Sequence, residues 1–137
     1  MTQEDKALLL KDLCARLNTK LVCSIYRTDD QEVGYRDEIL HGYCKGDIWY
    51  EFYFGEDCGI GIDDVSKIKP YLFPFSSMTE EEKEEYCQLQ QRIIYNSKRV
   101  VSEDVMKYIN WCYKKHLDIN NLIPIGLAID ATGLNIY

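Results

Sequence analysis

The stretch "IKPYLFPFSSMTEEEKEEY", Ile68 to Tyr86, divides the chain. Pro70 and Pro74 push the residues before them, Lys69 and Phe73, toward extended backbone, so no helix can run through this segment. Directly afterwards Thr79 has N-cap chemistry and Glu82 stands three residues on, the spacing of a capping box; Ser77 with Glu80 is an alternative frame. Glu80, Glu81 and Glu82 then fall where the helix dipole favours negative charge. The segment is a corner that ends an extended region and starts a helix. Tyr71, Leu72 and Phe75 are available to pin the crossing onto a sheet.

Upstream of the corner the hydrophobic period changes once. Thr2 can cap a first helix, with Glu4 and Asp5 in its first turn. Leu9, Leu10, Leu13, Cys14 and Leu17 recur at helical spacing and define one apolar face. Asn18-Thr19 ends it. "LVCSIYR", Leu21 to Arg27, is rich in β-branched and aromatic residues and reads as a strand. The polar stretch "TDDQEVGYRD" reads as a loop. Glu38 to Phe54 reads as a β-hairpin turning at Gly46-Asp47. On its second arm Ile48, Tyr50, Phe52 and Phe54 share one face, while Trp49, Glu51 and Tyr53 share the other. "IGID" adds a short closing strand.

Downstream, Tyr86, Leu89, Ile93 and Ile94 give an amphipathic helix, interrupted at "NSKR". Ser102 caps the next, whose apolar face is Val105, Tyr108, Ile109 and Cys112. Asp118 or Asn120 caps a short last helix closed by Gly126, and "LAI" is a brief strand. These elements predict one α+β domain over 1–137: a helix plus sheet portion over 1–72 and a mainly helical portion over 79–137. The sheet is expected to be small, curved and antiparallel, in the manner of a partly open SH3-like or Sm-like barrel.

Composition sets the class of partner. The formal charge of −7 over 137 residues disfavours a nucleic-acid backbone or an anionic membrane as the default partner. Hydrophobic residues at 46% and charged residues at 28% describe a globule with a core, not a disordered chain. The start of the chain is acidic and helical rather than a signal peptide, and no apolar run reaches the length of a membrane span. The six cysteines never form CxxC, so reduced thiols in a cytoplasmic setting are expected rather than a disulfide framework.

Four arrangements could carry chemistry. A metal site could draw on His41-x2-Cys44, Cys58 and Cys112-x3-His116. Zinc ligation needs about four converging soft ligands from paired spacings. Only single pairs are present, and His41 and Cys44 would point to opposite faces of a regular strand. Buried thiols and two ordinary histidines are the plainer account, and no cofactor is expected. A Cys-His nucleophile needs a thiolate activated at a helix N-terminus or beside a cation, and no cysteine starts a helix. "GIG" at Gly59 to Gly61 lacks the phosphate-binding fingerprint and reads as a bulge or sheet corner. Glu56, Asp57, Asp63 and Asp64 lack calcium-loop spacing and form a solvated rim. The fourth is the hairpin face of Trp49, Glu51 and Tyr53, with His41 nearby. If Phe52 and Phe54 pack on the core, this face is a half-exposed aromatic surface for a partner or a flat ligand. The competing expectation is that the C-terminal helices cover both faces of the sheet.

Three segments together carry a resemblance: "LLLKDLCARL", "IKPYLFPFSSMTEEE" and "INWCYKKHLDINNLIPIGLAIDA". They resemble a family of small uncharacterised proteins common in gut Bacteroidales and their prophages. The matching positions are Tyr71, Leu72, Pro74, Ser76, Ser77, Met78 and Thr79 in the middle block. In the last block they are Trp111, His116, Asp118, Leu122, Ile123, Gly126, Leu127 and Ala128. The chain departs from the pattern at Phe73 (usually Arg), Phe75 (usually Met), Cys112 (usually Leu) and Lys115 (usually the first of two histidines). Residues 18 to 61 do not match closely. The resemblance implies a phage or mobile-element context and carries no assigned activity.

These readings lead to a non-enzymatic protein-interaction module with a protein partner. A small-ligand or nucleotide-sequestering protein is the alternative, and an enzyme the third.

Overall fold

The computed structural model describes residues 1–29, 32–45, 50–54, 58–95 and 102–137. Helix α1 (Gln3–Ala15) opens with a reciprocal cap: the Asp5 N–H donates to the Thr2 hydroxyl at 3.1 Å, and the Thr2 N–H donates to the Asp5 carboxylate at 2.8 Å. Strands β1 (Val22–Asp29), β2 (Glu32–Lys45), β3 (Tyr50–Phe54) and β4 (Cys58–Gly61) follow. A 3-10 turn at Ile62–Lys67 leads to β5 (Ile68–Leu72). Helices α2 (Glu80–Tyr95) and α3 (Ser102–Lys114) come next, and β6 (Ile129–Asp130) precedes the final residues. The strands lie in the order β4-β3-β2-β1-β5-β6.

The α+β class is the expected one, with three differences in detail. First, the sheet is open and mixed: β5 and β6 run parallel, pairing Tyr71 with Ile129 and Leu72 with Asp130. Second, "TDDQEVGYRD" is not a loop. Its residues 28–29 end β1 and its residues 32–37 start β2, paired from Val22↔Ile39 to Asp29↔Glu32. Pairing to β5 stops at Ile25 and pairing to β3 starts at Leu40, so residues 26–29 and 32–35 form a two-stranded arm beyond the core. Both faces of that arm meet solvent, and its polarity reflects this rather than a chain break. Third, no helix follows Asp118. Residues 119–128 turn tightly, with Asn121 and Gly126 both left-handed (φ 55° and 75°), a conformation no helix interior tolerates. The Asp118 carboxylate instead accepts the N–H groups of Leu122 (2.7 Å) and Ile123 (2.9 Å).

Leu9, Leu13, Leu21, Ile25, Phe52, Phe54, Leu72 and Leu122 are fully buried and belong to one hydrophobic cluster. Each such side chain contributes roughly 1.5–3 kcal/mol of transfer free energy on burial. The corner behaves as expected. Pro70 sits within β5 opposite Cys23, and Pro74 is extended (ψ 151°). The Glu82 N–H donates to the Thr79 hydroxyl at 3.2 Å, and the Thr79 N–H donates to the Glu82 carboxylate at 3.0 Å. Helices α2 and α3 run antiparallel: Tyr86 meets Tyr108 with ring centroids 5.6 Å apart, and Lys115 reaches Glu82 at 3.1 Å. Of the predicted α2 stripe, Leu89 and Ile93 are half-buried whereas Ile94 is 66% exposed.

Candidate functional site

Alternation along the strands assigns each side chain to a face. Cys23, Ile25, Leu40, Phe52, Phe54, Ile60, Ile68 and Leu72 line the core face and are all buried. The register places Val22 beside Ile39, Ser24 beside Asp37 and Tyr26 beside Tyr35 on the outer face. The outer face is open along its middle: Ile39 is 40%, Tyr35 67%, Val33 72% and Tyr53 37% exposed. Helices α2 and α3 pack on each other and leave these residues in solvent, so the expectation that helices cover both faces does not hold for them.

A β-bulge shapes this surface. Leu40 pairs with Phe54 and Gly42 with Tyr53, so His41 is the inserted residue, and it is exposed. The bulge also breaks the strict alternation assumed for the His41-Cys44 pair. A β-carbon on Gly42, the cross-strand partner of Tyr53, would meet nothing within 4 Å. Glu51 lies on the same face as Tyr53, half-buried. Trp49 lies outside the described residues. Towards β5 the face becomes polar and ordered: the Tyr71 hydroxyl donates to Asp37 at 2.9 Å, and burial followed by the Asp37 carboxylate pushes the Tyr71 hydroxyl pKa up. At the arm, Tyr26 and Tyr35 contact with centroids 5.0 Å apart. The structure thus joins the predicted Tyr53, Glu51 and His41 to Ile39, Tyr35 and Val33. Reading 28–37 as a loop hid the last two; the alternation Val33, Tyr35, Asp37 was the signal available.

Among the described residues the candidate metal and nucleophile groups are not brought together. His116 follows the end of α3 with a left-handed φ of 54°, so the helical i, i+4 relation to Cys112 is lost. No group of three or more His, Cys, Asp or Glu side chains able to hold a metal occurs among the described residues. Burial pushes the Cys14, Cys23 and Cys112 thiols up, the reverse of nucleophile activation. Asp64 is exposed and pairs with Lys67 at 3.1 Å. Glu56 and Asp57, and the side chains of Cys44, Cys58 and Asp63, lie outside the described residues.

A second constellation, unpredicted, lies inside. Asp12 on α1 and Arg16, the residue that caps its C-terminus, are both fully buried, joined at 2.7 Å (Nε–Oδ2) and 3.1 Å (Nη2–Oδ1). Arg16 Nη2 also donates to the Leu117 carbonyl at 2.7 Å, and Asn120 donates to Asp12 at 2.8 Å. The guanidinium lies over the Tyr113 ring, 4.7 Å from its centroid. His116 stacks on Tyr137 with centroids 4.0 Å apart and planes within 10°. Burial, and secondarily the Arg16 charge, lower the His116 pKa to about 4, so the ring is neutral near pH 7. Positions 9, 12, 13 and 16 form one helical stripe, so two charges inside an apolar stripe were the readable signal. These bonds tie α1 to the segment after α3, and the cluster is structural in character. The chain matches no known family model, no curated protein and no solved structure.

Proposed function

We propose that this protein is a non-enzymatic protein-interaction module that works in the cytoplasm and engages its partner with the outer face of the sheet. The observation that carries this reading is the contrast between the two faces. Phe52 and Phe54 are fully buried, while Ile39, Tyr53, Tyr35 and Val33 form an uncovered apolar and aromatic strip across β2 and β3. Exposed apolar strips rimmed by polar groups mark recognition surfaces, and tyrosine supplies much contact area at low conformational cost. Asp37, Glu51 and His41 supply the polar rim. The resemblance to the Bacteroidales and prophage family adds the phage or mobile-element setting. The reading is tested by partner capture with the native protein and with a variant carrying charges on this strip. Retention by the native face alone is expected.

A further inference from the structure

A second surface, built from different elements, has its own chemistry. On α2, Glu85, Gln88, Leu89 and Arg92 recur at helical spacing, and on α3 so do Lys107, Asn110, Trp111 and Lys114. The two stripes border a shallow groove of two adjoining hollows of about 310 and 370 Å³, both of which have Leu89 and Trp111 in their lining. Trp111 is fixed there: its indole N–H donates to Glu85 at 2.8 Å, and its ring meets Tyr86 with centroids 6.2 Å apart. An aromatic ring held by a hydrogen bond and a tilted ring contact loses little freedom on binding.

Charge is segregated in the same place. The lining of the two hollows holds Arg92, Lys107 and Lys114 against Glu85, within a chain whose formal charge is −7. Lys107 pairs with Glu103 at 2.7 Å, whereas Arg92 and Lys114 make no ion pair among the described residues. We propose that the α2–α3 groove binds an acidic peptide segment, seating apolar side chains on Leu89 and Trp111 and presenting carboxylates to Arg92, Lys107 and Lys114. Two antiparallel helices flanking an apolar floor suit a helical segment with anchors on one face. A nucleic acid fits less well, because the floor of Leu89 and Trp111 calls for apolar side chains that a phosphate backbone does not carry.

The test uses the full chain and a fluorescein-labelled amphipathic peptide of Glu and Leu, followed by fluorescence anisotropy. Saturable binding is expected, weakening at least about tenfold in the Arg92→Glu/Lys114→Glu variant and retained in Arg92→Lys/Lys114→Arg. Both positions are exposed, so circular dichroism should show an unchanged fold. A peptide with Leu replaced by Ser, or with Glu replaced by Lys, should bind at least about tenfold more weakly. Equal binding by the charge-reversed variant would overturn the proposal. So would preferential binding of an oligothymidylate probe. Self-association abolished by the same charge reversal would also overturn it, assigning the groove to a second copy.

Discussion

Arg16 and Asp12, four residues apart at the C-terminal end of α1 and both sealed from solvent, form a two-point ion pair that reaches across to the segment after α3. Removing one partner of a buried pair leaves an uncompensated charge, which typically costs about 3–5 kcal/mol, whereas removing both costs far less. Asp12→Ala is therefore expected to lower the urea-unfolding free energy by an amount in that range. Asp12→Leu combined with Arg16→Met should recover most of the loss. Additive single and double effects in the cycle would contradict the coupling.

His116 predicts how stability responds to acid. Its folded pKa of about 4 lies below the ordinary 6.5. Between those values the unfolded chain binds a proton that the folded chain refuses, so stability falls as pH drops from about 6.5 to about 4 and levels below that. Discounted for screening by solvent, the loss is on the order of 2 kcal/mol. Asn tolerates the left-handed backbone, so His116→Asn should remove this part of the pH dependence while other titrations persist. Equal slopes for both proteins in unfolding measured across this range would contradict the assignment.

Tyr137 extends the ladder between β1 and β5 where their direct pairing ends at Cys23↔Pro70. Its hydroxyl donates to the Tyr71 carbonyl at 2.6 Å and accepts the Val22 N–H at 3.4 Å. Tyr137→Phe keeps the ring on His116 but leaves both backbone groups without this partner, a cost of about 1–2 kcal/mol. The Val22 amide should exchange measurably faster with deuterium. An unchanged exchange rate would show that the hydroxyl carries no part of the pairing.

How much was legible follows from what each residue type can report locally. The corner at Pro70 and Pro74, the Thr2 and Thr79 caps and the burial of Phe52 and Phe54 rest on short-range chemistry, and the structure has them as read. The paired segments 26–29 and 32–35 were missed because their polarity matches a loop, and only cross-strand partners such as Tyr26 and Tyr35 reveal the ladder. The supposed helix after Asp118 failed because the same carboxylate that can cap a helix can also clamp a turn, and Asn121 selects the turn. Of the candidate surface, Tyr53 and Glu51 were readable from alternation, whereas His41 sits at a bulge outside it. Ile39, Val33 and Tyr35 join them only through a register set by the whole sheet. The Asp12–Arg16 pair was hidden by the habit of assigning charged helix positions to solvent.

We propose that the outer sheet face recognises a protein. This proposal is tested most directly by quantitative capture from native lysate with the wild-type protein and with Tyr35→Lys/Tyr53→Lys, both immobilised at equal density. Both residues are exposed, so the doubly charged variant should remain folded, which thermal unfolding checks. The account predicts a stoichiometric partner on the wild-type protein that is lost from the doubly charged variant. A partner held equally by both proteins, or none held by the wild type, would contradict it.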